Sequence, residues 1–332
     1  QNKGFIIEIT GTLTNGATDA ATRSNFGVAN LLRNVTFTDL NNYQRVNISG
    51  WALALLNSAR QGWAFGGAYD PRMAIGYGNS YPVNSGPATL AANADGTVRM
   101  MYYLPLAYSG EDLRGSIYAA IVSATMNLQL TINPQPFVAA NADQLGAVYT
   151  GNANGNWKAN TPVNITVHQV YLDQLPVVNG GPVLPIMDLN TVYDLKQTTQ
   201  TGIQAGTDFT VPYSNFRDFL STTVVFNNGN AYNSGSDVNY WALQSANFVN
   251  IFRYGASIAA LEARQVFMSD LPPGAYYFNH RNRPINTVAF GNMELVLNAS
   301  SAAQGSYLSV VYEALAQQTT LAGGIAGSLS AS

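Results

Sequence analysis

Apolar residues along this chain come in short runs broken by Gly, Pro, Asn and Asp, the rhythm of strands and turns rather than of long helices. Residues 5–14 are β-rich, alternate in part, and stop at Asn15-Gly16, a strong hairpin-turn pair. Residues 35–38, 98–104, 128–132 and 163–172 also read as strands. In the last of these Val163, Ile165, Val167 and Gln169 share one face by period-two alternation. In the second half 209–211, 224–226, 275–278, 287–290, 295–297 and 308–312 read the same way. Many short strands separated by such turns predict a sandwich or a barrel.

Few segments carry a helical period. Ser109-Gly110-Glu111-Asp112 sets an N-cap Ser before acidic first-turn residues, and Leu113, Ile117 and Ile121 then recur every four positions. A helix is therefore expected from Ser109, with 258–266 as its match in the second half. Residues 51–59 and 241–248 each open on Trp-Ala-Leu and form a second matched pair, helical or loop-like.

That match is one of several echoes. Val35-Thr36-Phe37, Tyr43 and Trp51 return in order as Val224-Val225-Phe226, Tyr232 and Trp241. Tyr102-Tyr103 returns as Tyr276-Tyr277, Met126 to Leu130 as Met293 to Leu297, and Val170-Tyr171 as Val311-Tyr312. The order is kept while the offset shrinks, as two copies of one β unit would give if the first had longer loops. The joint is expected in 173–184, rich in Pro and Gly. The end of the chain, 317–332, is low in complexity and reads as a flexible or docking tail.

Composition narrows the function. Hydrophobic residues make up 47% of the 332 residues, enough for two cores, and charged residues only 10%. About 25% is usual, so the surface is largely Asn, Thr, Ser, Gln and Tyr, as suits a chain covered by neighbours. A net charge of −3 gives no general attraction to nucleic acid. Lys3, Lys158 and Lys196 are the only lysines among fifteen cationic residues, an excess of Arg that favours bidentate interface pairs. With no Cys there is no disulfide, thiolate site or thiol nucleophile. No apolar run reaches the length of a membrane span, and no signal peptide is visible.

Catalytic signatures are missing from the sequence. It holds no G-x-S-x-G elbow, Walker loop or H-E-x-x-H. His168 lies in an expected strand with no second His at ligand spacing, and His280 lies beside Arg281 and Arg283 in a turn. Arg281 and Arg283 form the one notable basic cluster, a contact for phosphates or an acidic neighbour, or simply a solvated turn.

Longer stretches carry a resemblance. Asn25 to Leu31, Ser49-Gly50-Trp51, Ala59 to Gly62, Pro105 to Ser109 with Asp112-Leu113, Tyr171 to Val177, Asn239-Tyr240, Ala246 to Phe248, Tyr276-Tyr277, Arg281 and Pro284-Ile285 follow one another in the order of a known family. The chain resembles the major capsid proteins of tectiviruses, tailless bacteriophages with a membrane inside an icosahedral shell. The resemblance implies an all-β chain of two eight-stranded jelly-roll barrels in tandem with a few short helices. The expected bounds are 1–172 for the first barrel, 173–184 for the linker, 185–316 for the second barrel and 317–332 for the tail.

It also implies a structural protein with no catalytic residue, cofactor or metal. Homotrimers would form pseudo-hexagonal capsomers, with neighbouring capsomers, other virion proteins and an internal lipid membrane as partners. No sequence-specific nucleic-acid binding is expected. The expected location is the virion, assembled in the host cytoplasm. Tyr108, Asp112, Arg114, Asp173, Arg281 and Arg283 are the structural and interface candidates. Members of that family usually carry an N-terminal helical arm; here residues 5–14 already form the first strand, so the arm is expected to be absent from this numbering or from this virus. Two other classes suit the composition: a two-jelly-roll amidase acting on glycans, with acidic residues and a Trp in a cleft, and a carbohydrate-binding spike with loop aromatics such as Trp63, Phe65 or Trp157.

Overall fold

The computed structural model describes residues 2–59, 86–109, 112–117, 125–137, 146–151, 154–172, 177–179, 181–182, 191–214, 217–228, 237–245, 250–267, 270–287, 292–303 and 305–317. The second half shows the plan most directly. Its main strands run in chain order Thr191–Thr201, Asp208–Pro212, Arg217–Asn227, Val238–Ser245, Asn250–Tyr254, Ala275–Asn279, Met293–Ala299 and Tyr307–Gln317. The first, eighth, third and sixth lie side by side in one sheet. The second, seventh, fourth and fifth form the other. That interleaving is the jelly roll of two Greek keys.

The first of these sheets is buried on both faces. Val224, Phe226, Tyr276, Phe278, Leu308 and Val310 point into the barrel's own core. The alternate positions Tyr193, Leu195, Val225, Tyr277, Val311 and Leu315 point the other way, into a core shared with the first half. This is why Val224-Val225-Phe226 and Tyr276-Tyr277-Phe278 are unbroken apolar runs: strands covered on both sides have no solvent face to keep polar.

In the first half Asn2–Thr14 lies between Asn164–Tyr171 and Asp95–Pro105. Leu32–Thr38 lies between Asn127–Ile132 and Gln44–Ile48. A small third sheet joins Thr89–Leu90, Ala21–Arg23 and Tyr149–Thr150. Helix α1 (Gly50–Ala59) is buried almost all round, as its apolar sequence requires. Gly50 is needed for this packing, because a Cβ there would stand 2.3 Å from the Leu32 carbonyl oxygen. Gln44–Ile48 also pairs in parallel with Thr191–Thr201, Val46 opposite Leu195 and Asn47 opposite Lys196, so one sheet runs from half to half.

Pairing tells which echoes are structural. Asn164–Tyr171 lies beside the first strand of its half, as Tyr307–Gln317 does in the other. Asn127–Ile132 and Met293–Ala299 also correspond, but the strand beside each differs from the echo. Leu32–Thr38 pairs with the former and Asp208–Pro212 with the latter, so Val35 is not the counterpart of Val224. Trp51 lies in a helix and Trp241 in a strand, so the second expected pair is not a pair.

Two other expectations change. Ser109 Oγ accepts the Asp112 N–H at 2.8 Å as an N-cap would, yet no helix forms over 112–117. The Asp112 carboxylate takes the Arg114 N–H at 3.1 Å, and Gly115, at φ 87°, turns the chain into a bridge between Ile117 and Asn2. Ile121 lies outside the described residues. A short strand at Ile285–Asn286 pairs with Arg217–Asn227; of the strand expected at 287–290, residues 288–290 lie outside the described residues. Helix α2 (Ala256–Phe267) covers the expected 258–266. Much of 173–184 and the tail after Gln317 lie outside the described residues.

Candidate assembly site

Four of the six candidate residues meet where the first half's loop 106–117 lies on the second half's two-sided sheet. At its centre is Glu313, 0% exposed, midway along Tyr307–Gln317. Its strand neighbours place its donors: Ser221 is directly opposite on Arg217–Asn227, and Tyr193 lies on Thr191–Thr201. Ser221 Oγ donates to Glu313 Oε2 at 2.7 Å, and the Tyr193 hydroxyl and Arg281 Nη2 both donate to Oε1. Burial works against the charge on Arg281, but the Glu313 carboxylate together with Tyr193, Tyr277 and Tyr108 outweighs it and raises the guanidinium above its ordinary pKa.

The Tyr108 ring stands between two cations, 5.6 Å from the Arg281 guanidinium and 5.1 Å from that of Arg114. Arg114 reaches Asp112 through Nε and Nη2 at 2.9 and 2.7 Å. Burial opposes the charge on Asp112; the Arg114 hydrogen bonds overcome it and keep its pKa below the usual value. Gly115 lets the loop approach this closely, since a Cβ there would stand 2.6 Å from Tyr193 Cβ.

A second buried pair holds the loop from the first half. Arg45 Nε bonds Asp39 Oδ2 at 2.6 Å with both side chains nearly inaccessible, and Arg45 Nη1 donates to the Gly115 carbonyl at 2.5 Å. Beside it the Tyr43 hydroxyl donates to Asp194 Oδ2 at 2.8 Å, and Arg217 Nε reaches the same oxygen at 3.3 Å. Burial raises the Asp194 pKa despite these donors. Lys196 Nζ, whose pKa burial lowers, donates to the Gln44 carbonyl across the parallel strand pair. Tyr43, Arg45 and Gln44 come from one half, Asp194, Lys196 and Arg217 from the other.

Arg283 is exposed on the same turn as Arg281, with its N–H on the His280 carbonyl at 3.0 Å. Asp173 lies outside the described residues. Glu313, Asp194, Asp39 and Arg45 were missed from sequence. Glu313 carries a readable mark, a lone charge inside an apolar strand run, and Asp194 a weaker one, a carboxylate between Tyr193 and Leu195 with Lys196 two residues on; burial obliges each to find a partner.

These groups are structural in their chemistry. The Arg, Glu and Tyr side chains bond chiefly to one another, with Arg281 Nε and Asp194 Oδ1 left without a partner, and no cluster of three His, Cys, Asp or Glu is placed to hold a metal among the described residues. Of the loop aromatics named for glycan binding, Trp157 is half-buried against the core, and the Trp residues open to a cleft role are buried too. Trp51 and Trp241 are 3% and 0% exposed, and Trp157 donates Nε1–H to the Asn133 carbonyl at 2.7 Å. Trp63 and Phe65 lie outside the described residues.

Comparison with known proteins gives a consistent result. The family described as P3 major capsid protein N-terminal matches residues 2–175, and that described as P3 major capsid protein C-terminal matches residues 190–331. The major capsid protein P3 of Enterobacteria phage PRD1 is 37% identical over 322 residues, 96% of this chain and 81% of that protein. Among solved structures, the STIV MCP superposes with a TM-score of 0.66 at 11% identity, covering 95% of this chain and 88% of that one. The Faustovirus major capsid protein gives a TM-score of 0.52 at 9% identity over 95% and 84%.

Proposed function

The chain belongs to the P3 major capsid protein family, a family of structural coat proteins rather than enzymes, and from that premise we propose how it builds a shell. Three chains associate into a capsomer whose six barrels form a pseudo-hexagonal tile, and capsomers meet at their flanks to close an icosahedral coat. The first barrel takes 1–172, the linker 173–184, the second barrel 185–316 and the tail 317–332. The coat encloses the genome and an internal membrane, contacts other virion proteins, and is assembled in the host cytoplasm.

The observation that carries the reading is the relationship to the PRD1 coat protein along nearly the whole chain. The joint gives it a mechanism. A tile needs its two barrels held at one angle, and the shared core, the continuous sheet and the stacking of Arg281 on Tyr108 hold them. Tyr108, Asp112 and Arg114 serve this joint from the loop side, the exposed Arg283 is free for a neighbouring chain, and Asp173 is kept as an interface candidate from sequence. Trimers close by rotational symmetry, which limits open-ended aggregation. Light scattering of the purified chain is expected to give three chain masses, and negative-stain microscopy hexagonal particles or shells. A monomer at micromolar concentration would sink the proposal.

A further inference from the structure

The large hydrophobic side chains exposed among the described residues fall into two groups. Ile165, Val167, Tyr171 and Val177 belong to the first, and Ile251, Ile258 and Leu261 to the second. The first group centres on Asn164–Tyr171, an edge strand. Ile165 and Val167 stand opposite Ile9 and Ile7, both fully buried, so the core face of this sheet runs on into an uncovered strand. Its counterpart Tyr307–Gln317 has a neighbour on each edge, whereas Asn164–Tyr171 has one among the described residues. It also carries no Lys, Arg, Asp, Glu or Pro to blunt its free edge.

The second group belongs to the other half. Ile258 and Leu261 project from the outward face of α2, and Ile251 from the edge strand just before it. Beside them is an open groove of about 660 Å³, lined by Val238, Ala256, Ala260, Pro272 and Tyr276 among others. Its volume admits an aromatic side chain such as that of Tyr171.

The geometry points to contact between copies of this chain, the Asn164–Tyr171 edge of one copy packing against the α2 face and groove of the next. The inference rests on the coat-protein reading and names the surfaces it uses. An uncharged strand offers nothing to a phosphate or an acidic peptide, but it matches a second apolar surface. The strand is also long enough for such a contact. At about 3.3 Å per residue its eight residues run about 26 Å, near the width of a patch of about 800 Å² per partner in a standard interface. Because the two patches differ and lie on different halves, the contact is heterologous, and such contacts close into rings when the rotation allows.

The test exploits the lack of native cysteine. Val167→Cys and Leu261→Cys chains, co-expressed and treated with a bismaleimide that adds one thiol to each ring, are expected to give covalent dimers. The doubly substituted chain is expected to give covalent trimers, and Val167→Cys alone no cross-link. The Ile165→Lys, Val167→Lys chain is expected to fall from three chain masses to one with its circular dichroism unchanged. Particles of three chains with no cross-link, or with Val167→Cys linked to itself, would overturn the contact and leave the coat-protein reading standing. So would protection of Val167→Cys from a monofunctional maleimide in dissociated chains, since another segment of the same chain would then cover the strand. A wild-type chain that stays monomeric would overturn both.

Discussion

Replacing Arg281 by Met tests the joint at its centre. The substitution keeps most of the aliphatic volume and removes the guanidinium bonded to Glu313, whose side chain is 0% exposed. The carboxylate then keeps two neutral donors, Ser221 Oγ and the Tyr193 hydroxyl. Breaking a buried ion pair from one side costs about 3–5 kcal/mol, because the remaining charge is stranded. The shared core makes both halves unfold together. For 332 residues, an unfolding entropy of about 2.1 cal/mol/K per residue converts that loss into a fall in Tm of about 4–7 °C. Scanning calorimetry at pH 7 and matched chain concentration reads it directly, since association also shifts Tm. Adding Glu313→Gln should restore most of the loss, because Gln leaves no charge to strand. A loss below about 1 kcal/mol, or a double variant no more stable than Arg281→Met, would show that the pair behaves as a surface pair and does not anchor the Arg281 side chain that meets Tyr108.

Three further outcomes follow from the same region. His280 is buried against Phe252 with Nε2 unpartnered, and desolvation depresses its pKa from 6.5 to about 4. The unfolded chain therefore binds the proton first, so stability falls as pH drops below 6.5, by about 3 kcal/mol once pH reaches about 4; Tm measured from pH 7 to 4 should fall less for His280→Phe than for wild type, and equal slopes would contradict this. Gly115→Ala places a methyl group against Tyr193 at a positive φ, and urea unfolding should show a loss of at least about 2 kcal/mol. Tyr43→Phe removes a hydroxyl donor from Asp194, whose Oδ1 already has no partner, and should lower the urea midpoint by about 1–2 kcal/mol in stability at unchanged m-value.

Strand chemistry was legible in the sequence where burial imposes it locally, and partnership was not. The runs Val224-Val225-Phe226 and Tyr276-Tyr277-Phe278 announce strands because these stretches, covered on both faces, have no solvent side to keep polar. Val35-Thr36-Phe37 looks like a copy of the first run although its strand alternates between buried and half-buried positions and has other neighbours. Trp51-Ala52-Leu53 and Trp241-Ala242-Leu243 are alike because both are buried, one on a helix and one on a strand. Similar environments thus produced similar words, and only long-range pairing could tell equivalence from likeness. The helix expected after Ser109 does not form over 112–117 for a related reason. Its capping bond is local and present, but Gly115 is held against Tyr193 from the other half, and that contact fixes a turn. Charges within strands were the better guide. Glu313 interrupts an apolar strand run and Asp194 stands between Tyr193 and Leu195, so each had to find a buried partner. Asp194's partners, Tyr43 and Arg217, come one from each half, and Glu313's cation Arg281 also packs against Tyr108 of the first half. In a chain with so few charges, an ion buried inside a strand marks the place where the halves are joined.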